Sequence, residues 1–124
     1  MSLLLMDLDH FKAINDSYGH QSGDKALMEF VSRVRTLLRR SDQLGRFGGE
    51  EFVLLPETTL DVALLVTERI RTMIDQSTIE PHYTVSIGVT TNQLANDNLD
   101  TLLARADSAL YRAKDQGRNR VAAA

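Results

Sequence analysis

The sequence predicts an α+β fold, a central antiparallel sheet flanked by helices. Two observations carry the prediction. Short apolar or β-branched runs alternate with longer stretches whose apolar residues recur every three or four positions, in the order β-α-β-β-α-β-α-β. Two of the strand-like runs meet across a Gly-Gly pair, the mark of a hairpin. No repeat or linker interrupts the pattern. The 124 residues suffice for one domain, residues 1–124, with a core of its own.

Leu3-Leu4-Leu5-Met6 is the first strand, a buried run ending in the acidic cluster Asp7-Leu8-Asp9. Residues 11–16 make a short helix, broken at Tyr18-Gly19-His20, where His20 organises the turn. Ser22 and Gly23 precede Asp24, where a long amphipathic helix begins. Leu27, Phe30, Val31, Val34, Leu37 and Leu38 are its stripe, and Arg39-Arg40-Ser41-Asp42 ends it. Residues 43–47 and 52–56 are two strands, with Gly48-Gly49-Glu50-Glu51 between them. Thr58 or Thr59 caps the next helix, whose buried stripe is Val62, Leu65, Val66, Ile70 and Ile74. Residues 83–90 are rich in β-branched side chains and read as a strand, followed by a polar loop.

The last helix covers 99–114, with Leu102, Leu103, Ala106, Ala109 and Leu110 inward. Asp107 and Tyr111 on it are read as ties to the sheet. Gly117 stands where a helix-ending glycine belongs, and residues 118–121 make a short final strand. A β-α-β-β-α-β core is the ferredoxin-like pattern, a sheet with helices on one face. Polymerase palms and nucleotide cyclases share it.

Composition narrows the function. The net charge is −3, whereas a binder of long DNA or RNA ordinarily carries a basic surplus, so no nucleic-acid polymer is expected as partner. A few placed cations can still hold a small phosphorylated ligand. No apolar run reaches the ~20 residues of a membrane span, so this segment makes no membrane contact. The first residues lack the basic region of a signal peptide, and there are no cysteines. The expected location is the cytoplasm, with any membrane anchor left to a longer parent chain.

Two carboxylate clusters stand out: Asp7 with Asp9 at the end of the first strand, and Glu50 with Glu51 at the hairpin tip. Either alone is ordinarily a solvated loop tip or a plain turn. Facing each other across a sheet edge, they suit hard cations, which take one or two carboxylates plus substrate phosphates. That is the layout of a two-metal phosphoryl or nucleotidyl transfer site.

The whole pattern resembles a known family. Asp7-Leu8-Asp9-His10-Phe11-Lys12, Asn15-Asp16, Gly19-His20, Gly23-Asp24 and Gly48-Gly49-Glu50-Glu51-Phe52 stand in the order of the GGDEF family of diguanylate cyclases. The segments Val85-Ser86-Ile87-Gly88-Val89, residues 106–114 and Gly117-Arg118-Asn119-Arg120 agree with it. The signature here reads GGEEF, a variant the family accepts in active members.

The resemblance implies a condensation of two GTP into cyclic di-GMP and two pyrophosphates, with Mg²⁺ or Mn²⁺, two ions per half-site. It implies metal ligands in Asp7, the Leu8 carbonyl and Glu50. Glu51 would help with the metal or activate the 3′-hydroxyl. Gly48 and Gly49 would let the backbone approach the phosphates. Asn15 and Asp24 would read guanine, and their groups match its N1–H, amino and carbonyl edge. Lys114 and Arg118, four apart on the last helix and its end, would hold the β- and γ-phosphates. Lys12 would stabilise the leaving pyrophosphate. Arg39 and Asp42 form the Arg-x-x-Asp pair of an inhibitory site for cyclic di-GMP, and Arg69 resembles a second arginine of that site.

In this family each half-site holds one GTP, so a homodimer is needed for catalysis. The family's usual N-terminal helix and any sensory domain lie outside these residues. Weak activity is therefore expected of this stretch alone. The rival expectation is an inactive domain that binds cyclic di-GMP or GTP as a receptor. The intact Gly48-Gly49-Glu50-Glu51 stands against it.

Overall fold

The computed structural model describes every residue except Leu94, which lies in the expected polar loop. Strand β1 (Ser2–Leu8) is followed by helices α1 (Phe11–Tyr18) and α2 (His20–Arg35). The hairpin β2 (Gln43–Arg46) and β3 (Glu51–Leu55) comes next, then α3 (Leu60–Asp75), β4 (Val85–Thr91), α4 (Leu99–Asp115) and β5 (Val121–Ala123). The sheet order is β2-β3-β1-β4-β5.

The first four strands pair antiparallel, as the ferredoxin-like pattern requires. The fifth does not: β5 pairs parallel to β4, so the sheet is mixed. A strand reached through a helical crossover returns in the same direction, and α4 is that crossover.

Nor do the helices share one face. Leu4, Met6 and Leu8 of β1 pack with Phe30 and Val34 of α2 and with Ile70 and Ile74 of α3. Leu3 and Leu5 point the other way, onto Leu102, Ala106 and Leu110 of α4. Every residue of β1 is buried. An unbroken apolar run is what a strand covered on both faces needs. Gly88 of β4 lets α4 come close. A Cβ there would stand 2.2 Å from the Ala106 carbonyl oxygen and 2.5 Å from the Leu110 nitrogen.

Several boundaries differ from the sequence expectation. Helix α2 begins at His20 rather than Asp24 and ends at Arg35 rather than near Arg39. Leu37 and Leu38 nonetheless pack on the core from the connection that follows. In α3 the buried stripe is Ala63, Thr67, Ile70 and Ile74, whereas Val62 and Leu65 are exposed. Thr59, not Thr58, is the N-cap. Asp107 and Tyr111 are exposed and do not tie α4 to the sheet.

Helix α4 starts with a reciprocal cap between Asn98 and Thr101 and ends as expected at Gly117. The Gly117 N–H reaches the Lys114 carbonyl, the Arg118 N–H reaches the Ala113 carbonyl, and Gly117 has φ 123°. This is a Schellman ending, in which glycine takes the left-handed position without a Cβ penalty. Among the described residues no helix is long and apolar enough to cross a membrane.

The close approach at Gly88 sets a first test. Gly88→Ala is expected to cost about 1–3 kcal/mol in denaturant unfolding, because backbone atoms must move. Gly45→Ala, with nothing within 4 Å of the new Cβ, should stay close to wild type.

Candidate active site

The site forms where β1 ends. The register sets Asp7 opposite Glu51 on one side and Ser86 on the other, so β1 delivers its carboxylate between β3 and β4. The Leu8 N–H bonds the Glu50 carbonyl at 3.2 Å, which ties the hairpin base to β1. Asp7 is on the α4 face of the strand, and the Lys114 ammonium of α4 donates a hydrogen bond to its Oδ2.

A cavity of about 240 Å³ opens at this edge, lined by Asp7, Leu8, Asp9, His10, Phe11, Lys12, Glu50, Lys114 and Arg118. Six of the residues singled out from the sequence thus converge: Asp7, Leu8, Lys12, Glu50, Lys114 and Arg118. Glu51 lies against them through its pairing with Asp7.

The hairpin tip is open. Gly49 has no atom within 4 Å of where a Cβ would sit, and Gly48 is covered only by the Glu51 carboxylate, 3.2 Å away. Neither glycine has a positive φ. Their use is therefore steric access rather than an unusual backbone angle. Arg46, which the sequence did not single out, donates to the carbonyls of Gly48 and Gly49 at 2.6–3.2 Å and braces the tip.

Arg118 reaches the cavity by a different route from the one expected. It does not continue the helical face of Lys114. Arg118 and Asn119 both take left-handed backbone, at φ 64° and 47°. The turn after Gly117, not helical i to i+4 spacing, brings the two cations together.

Asn15 and Asp24 lie apart from this cavity. Asn15 packs its Oδ1 against Gly23, where an added Cβ would come within 1.8 Å. That Oδ1 is buried and has no hydrogen-bond partner. Asp24 follows Gly23, exposed within α2, so it is not an N-cap. The packing of α1 on α2 thus brings Asn15 beside Gly23, the residue that precedes Asp24.

The second group of residues is partly gathered. The Arg39 backbone N–H donates to Asp42 Oδ2 at 2.8 Å, and the Arg39 guanidinium stands 3.6 Å from Oδ1. The Asp42 side chain is 6% exposed and the Arg39 side chain 61%. Both line a cavity of about 240 Å³ with Arg35 and Arg40. Arg69 lines a separate groove with Arg33, Leu37 and Met73.

The electrostatics are those of crowded carboxylates. Burial holds Asp7 above the usual carboxylate range; Lys114 draws it back, and Glu50 and Asp9 push it up again. Glu51 is also raised, by burial first and then by the charge of Asp7. Such a site favours a cation. Lys114 supplies one, and the carboxylate oxygens of Asp7 and Glu50 at the cavity are hard donors of the kind Mg²⁺ takes. Among the described residues no three His, Asp or Glu side chains form a cage by themselves. Mg²⁺ does not need one, because it keeps waters and substrate phosphates as ligands.

A ferredoxin-like sheet with an acidic edge ringed by lysine and arginine belongs to the class of domains that handle phosphorylated nucleotides. Its family is specific: residues 1–120 match "Diguanylate cyclase, GGDEF domain", and the chain belongs to that family. It is 50% identical over 126 residues to diguanylate cyclase DgcM of Escherichia coli, covering 99% of this chain and 30% of that protein. It is 43% identical to the response regulator PleD of Caulobacter vibrioides, covering 98% and 28%. The chain therefore spans less than a third of the length of these relatives.

Among solved structures, the GGDEF domain of DgcB from Caulobacter crescentus in complex with c-di-GMP superposes with a TM-score of 0.92 at 32% identity, covering 98% of this chain and 76% of that one. The active GGEEF domain of a diguanylate cyclase from Vibrio cholerae gives the same TM-score and identity, with 98% and 81% covered.

The raised acids fix a pH dependence. A carboxyl whose folded value is raised binds its proton more tightly in the folded state. Its stabilising effect is full below the ordinary carboxylate range and is lost as pH rises through the raised value. Asp7→Asn mimics the protonated form. It is expected to be at least as stable as wild type at pH 7 and to lose that advantage near pH 4, in thermal unfolding across pH. A wild type clearly more stable than Asp7→Asn at pH 7 would contradict the assigned burial.

Proposed function

We propose that this domain is a diguanylate cyclase half-site, joining two GTP into cyclic di-GMP with release of two pyrophosphates. The observation that carries the reading is the convergence of Asp7, Leu8, Lys12, Glu50, Lys114 and Arg118 on one cavity at the end of β1. Its GGEEF signature is read as an active form, in line with the Vibrio cholerae domain of that signature.

In this reading the 3′-oxygen of each GTP attacks the α-phosphorus of the other, and each α-phosphorus loses pyrophosphate. Asp7, the Leu8 carbonyl and Glu50 would hold Mg²⁺ or Mn²⁺, two ions per half-site, which neutralises phosphate charge and acidifies the attacking hydroxyl. Glu51, held above the usual carboxylate range by burial and the charge of Asp7, is suited to take up the hydroxyl proton or to support the metal ligands. Lys114 and Arg118 hold the β- and γ-phosphates, and Lys12 meets the charge that grows on the departing pyrophosphate. Gly48 and Gly49 leave room for phosphate against backbone. The Asn15 amide, which can donate and accept, and the Asp24 carboxylate are assigned to the guanine edge.

Two half-sites must meet face to face, so the rate per molecule should rise with protein concentration until the dimer saturates. Product inhibition is assigned to Arg39 and Asp42. The carboxylate is held by a backbone N–H, and the exposed guanidinium, now 3.5 Å from the Glu57 carbonyl and 3.6 Å from Asp42, would exchange those weak contacts for phosphate or guanine. Arg69, in its own groove, is proposed as a second contact.

Calorimetric titrations test both sites. A non-hydrolysable GTP analogue with Mg²⁺ should bind wild type and lose on the order of 100-fold in Glu50→Gln, the scale of removing one preorganised charge contact. Cyclic di-GMP should bind wild type and weaken about 10- to 100-fold in Arg39→Ala, with analogue binding unchanged. If the analogue does not bind but cyclic di-GMP does, through Arg39, the domain is a receptor instead of a cyclase. Base choice is a separate check. Asp24→Ser should relax the preference for GTP over ATP about tenfold or more, since a guanine-specific acceptor is lost.

A further inference from the structure

Asp9 is one of four carboxylates at the sheet edge, yet its surroundings differ from those of the other three. It is 4% exposed and fully engaged. Its Oδ1 accepts from the Ser86 hydroxyl at 2.7 Å; its Oδ2 accepts from the Thr84 hydroxyl at 2.7 Å and from the Asn119 backbone N–H at 3.0 Å. Three donors leave little of this carboxylate to offer a cation.

What it holds is the turn that carries Arg118. Left-handed backbone at two successive non-glycine residues is unfavourable and persists only where neighbours over-determine it. Asp9 takes the Asn119 N–H; the Asn119 side chain donates to Asp75 at 3.0 Å and accepts from Arg71 at 3.0 Å, both on α3. The next residue, Arg120, accepts from the Ile87 N–H of β4 at 3.0 Å. Arg118, at the middle of this clamp, keeps an exposed side chain at the cavity.

We infer that Asp9 is a positioning residue for Arg118, holding the turn so that the guanidinium faces the triphosphate, and that it is not a metal ligand. The inference rests on the proposed GTP reading of the cavity.

Substituents separate this role from its rivals. Asp9→Ala removes every acceptor. Asp9→Asn can keep its amide oxygen on Asn119 and Thr84 while its NH₂ donates to the Ser86 hydroxyl, so it should rescue. The readout is affinity for a non-hydrolysable GTP analogue against affinity for GMP, which lacks the outer phosphates. Asp9→Ala should weaken the analogue about tenfold, the scale of one charge-assisted contact, and leave GMP unchanged. Asp9→Asn should stay within about threefold of wild type. In an Arg118→Ala background, Asp9→Ala should add nothing. Asn119→Gly keeps the backbone N–H and tolerates the left-handed angle, but loses the α3 anchor. It should weaken the analogue several-fold without touching GMP, and it decides the matter if Asp9→Ala does not fold.

Equal loss of analogue and GMP, multiplying effects of Asp9→Ala and Arg118→Ala, or an Asp9→Asn as damaged as Asp9→Ala would each overturn the inference, as would an Asn119→Gly that binds like wild type. A wild type that binds no GTP analogue removes the underlying function as well. A wild type that binds it while the Asp9 variants bind equally well removes only the role of Asp9.

Discussion

Everything at this site depends on β1 being buried on both faces. A strand covered by α2 and α3 on one side and by α4 on the other has no freedom to shift register. A slip of one residue would turn Leu4, Met6 and Leu8 into the wrong layer. The same constraint fixes where the polar residues fall. Asp7 sits one position before the strand ends, on the α4 face, and cannot escape to water. Its displacement from the ordinary carboxylate range follows from that placement. The strand buried along its whole length thus also carries a carboxylate that burial disfavours in its charged form.

Around that carboxylate, charge is balanced by elements that arrive from elsewhere in the chain. Lys114 comes down α4, Lys12 opens α1, and Arg118 enters on the turn after Gly117. Each is at or near the end of an element, where a backbone can stop and a side chain can face solvent. The acids come from β1 and from the hairpin. No single segment makes the site; it exists only when sheet and α4 are in register. Gly88 is part of this, because the close approach it permits sets how near Lys114 can stand to Asp7.

Much of this was legible in the sequence. The apolar run before Asp7, the Gly-Gly hairpin and the helix-ending Gly117 each carry a local physical cause, and each appears where expected. The residues gathered at the cavity were named because their types and order match a family, a signal that periodicity cannot provide. What was not legible depends on the third dimension. The second helical layer and the parallel β5 follow from where α4 crosses, which no local pattern encodes. Val62 and Leu65 were assigned inward by hydrophobicity alone, while α3 buries Ala63 and Thr67 instead. Arg118 was placed by helical spacing, although Gly117 already signalled a reversal that breaks that spacing. Asn119 bonds Asp9, Asp75 and Arg71 across the fold, and Arg46 bonds the carbonyls of its own hairpin tip; neither residue type announces it.

The product-site pair bears on the same architecture. Asp42 immediately precedes β2, and Phe47 immediately follows it. At about 3.3 Å per residue, the four residues of β2 separate the Arg39–Asp42 pair from the Gly48–Glu51 tip by little more than one strand length. Both ends of one short edge strand therefore meet charged groups, one pair read as holding product and the other as holding substrate. As an edge strand, β2 is paired in the sheet only to β3. Its register is held by that single ladder and by the Arg46 brace at the tip. On the proposed reading, a ligand held by Asp42 and Arg39 would contact the residues just before the strand whose other end leads to the glycines.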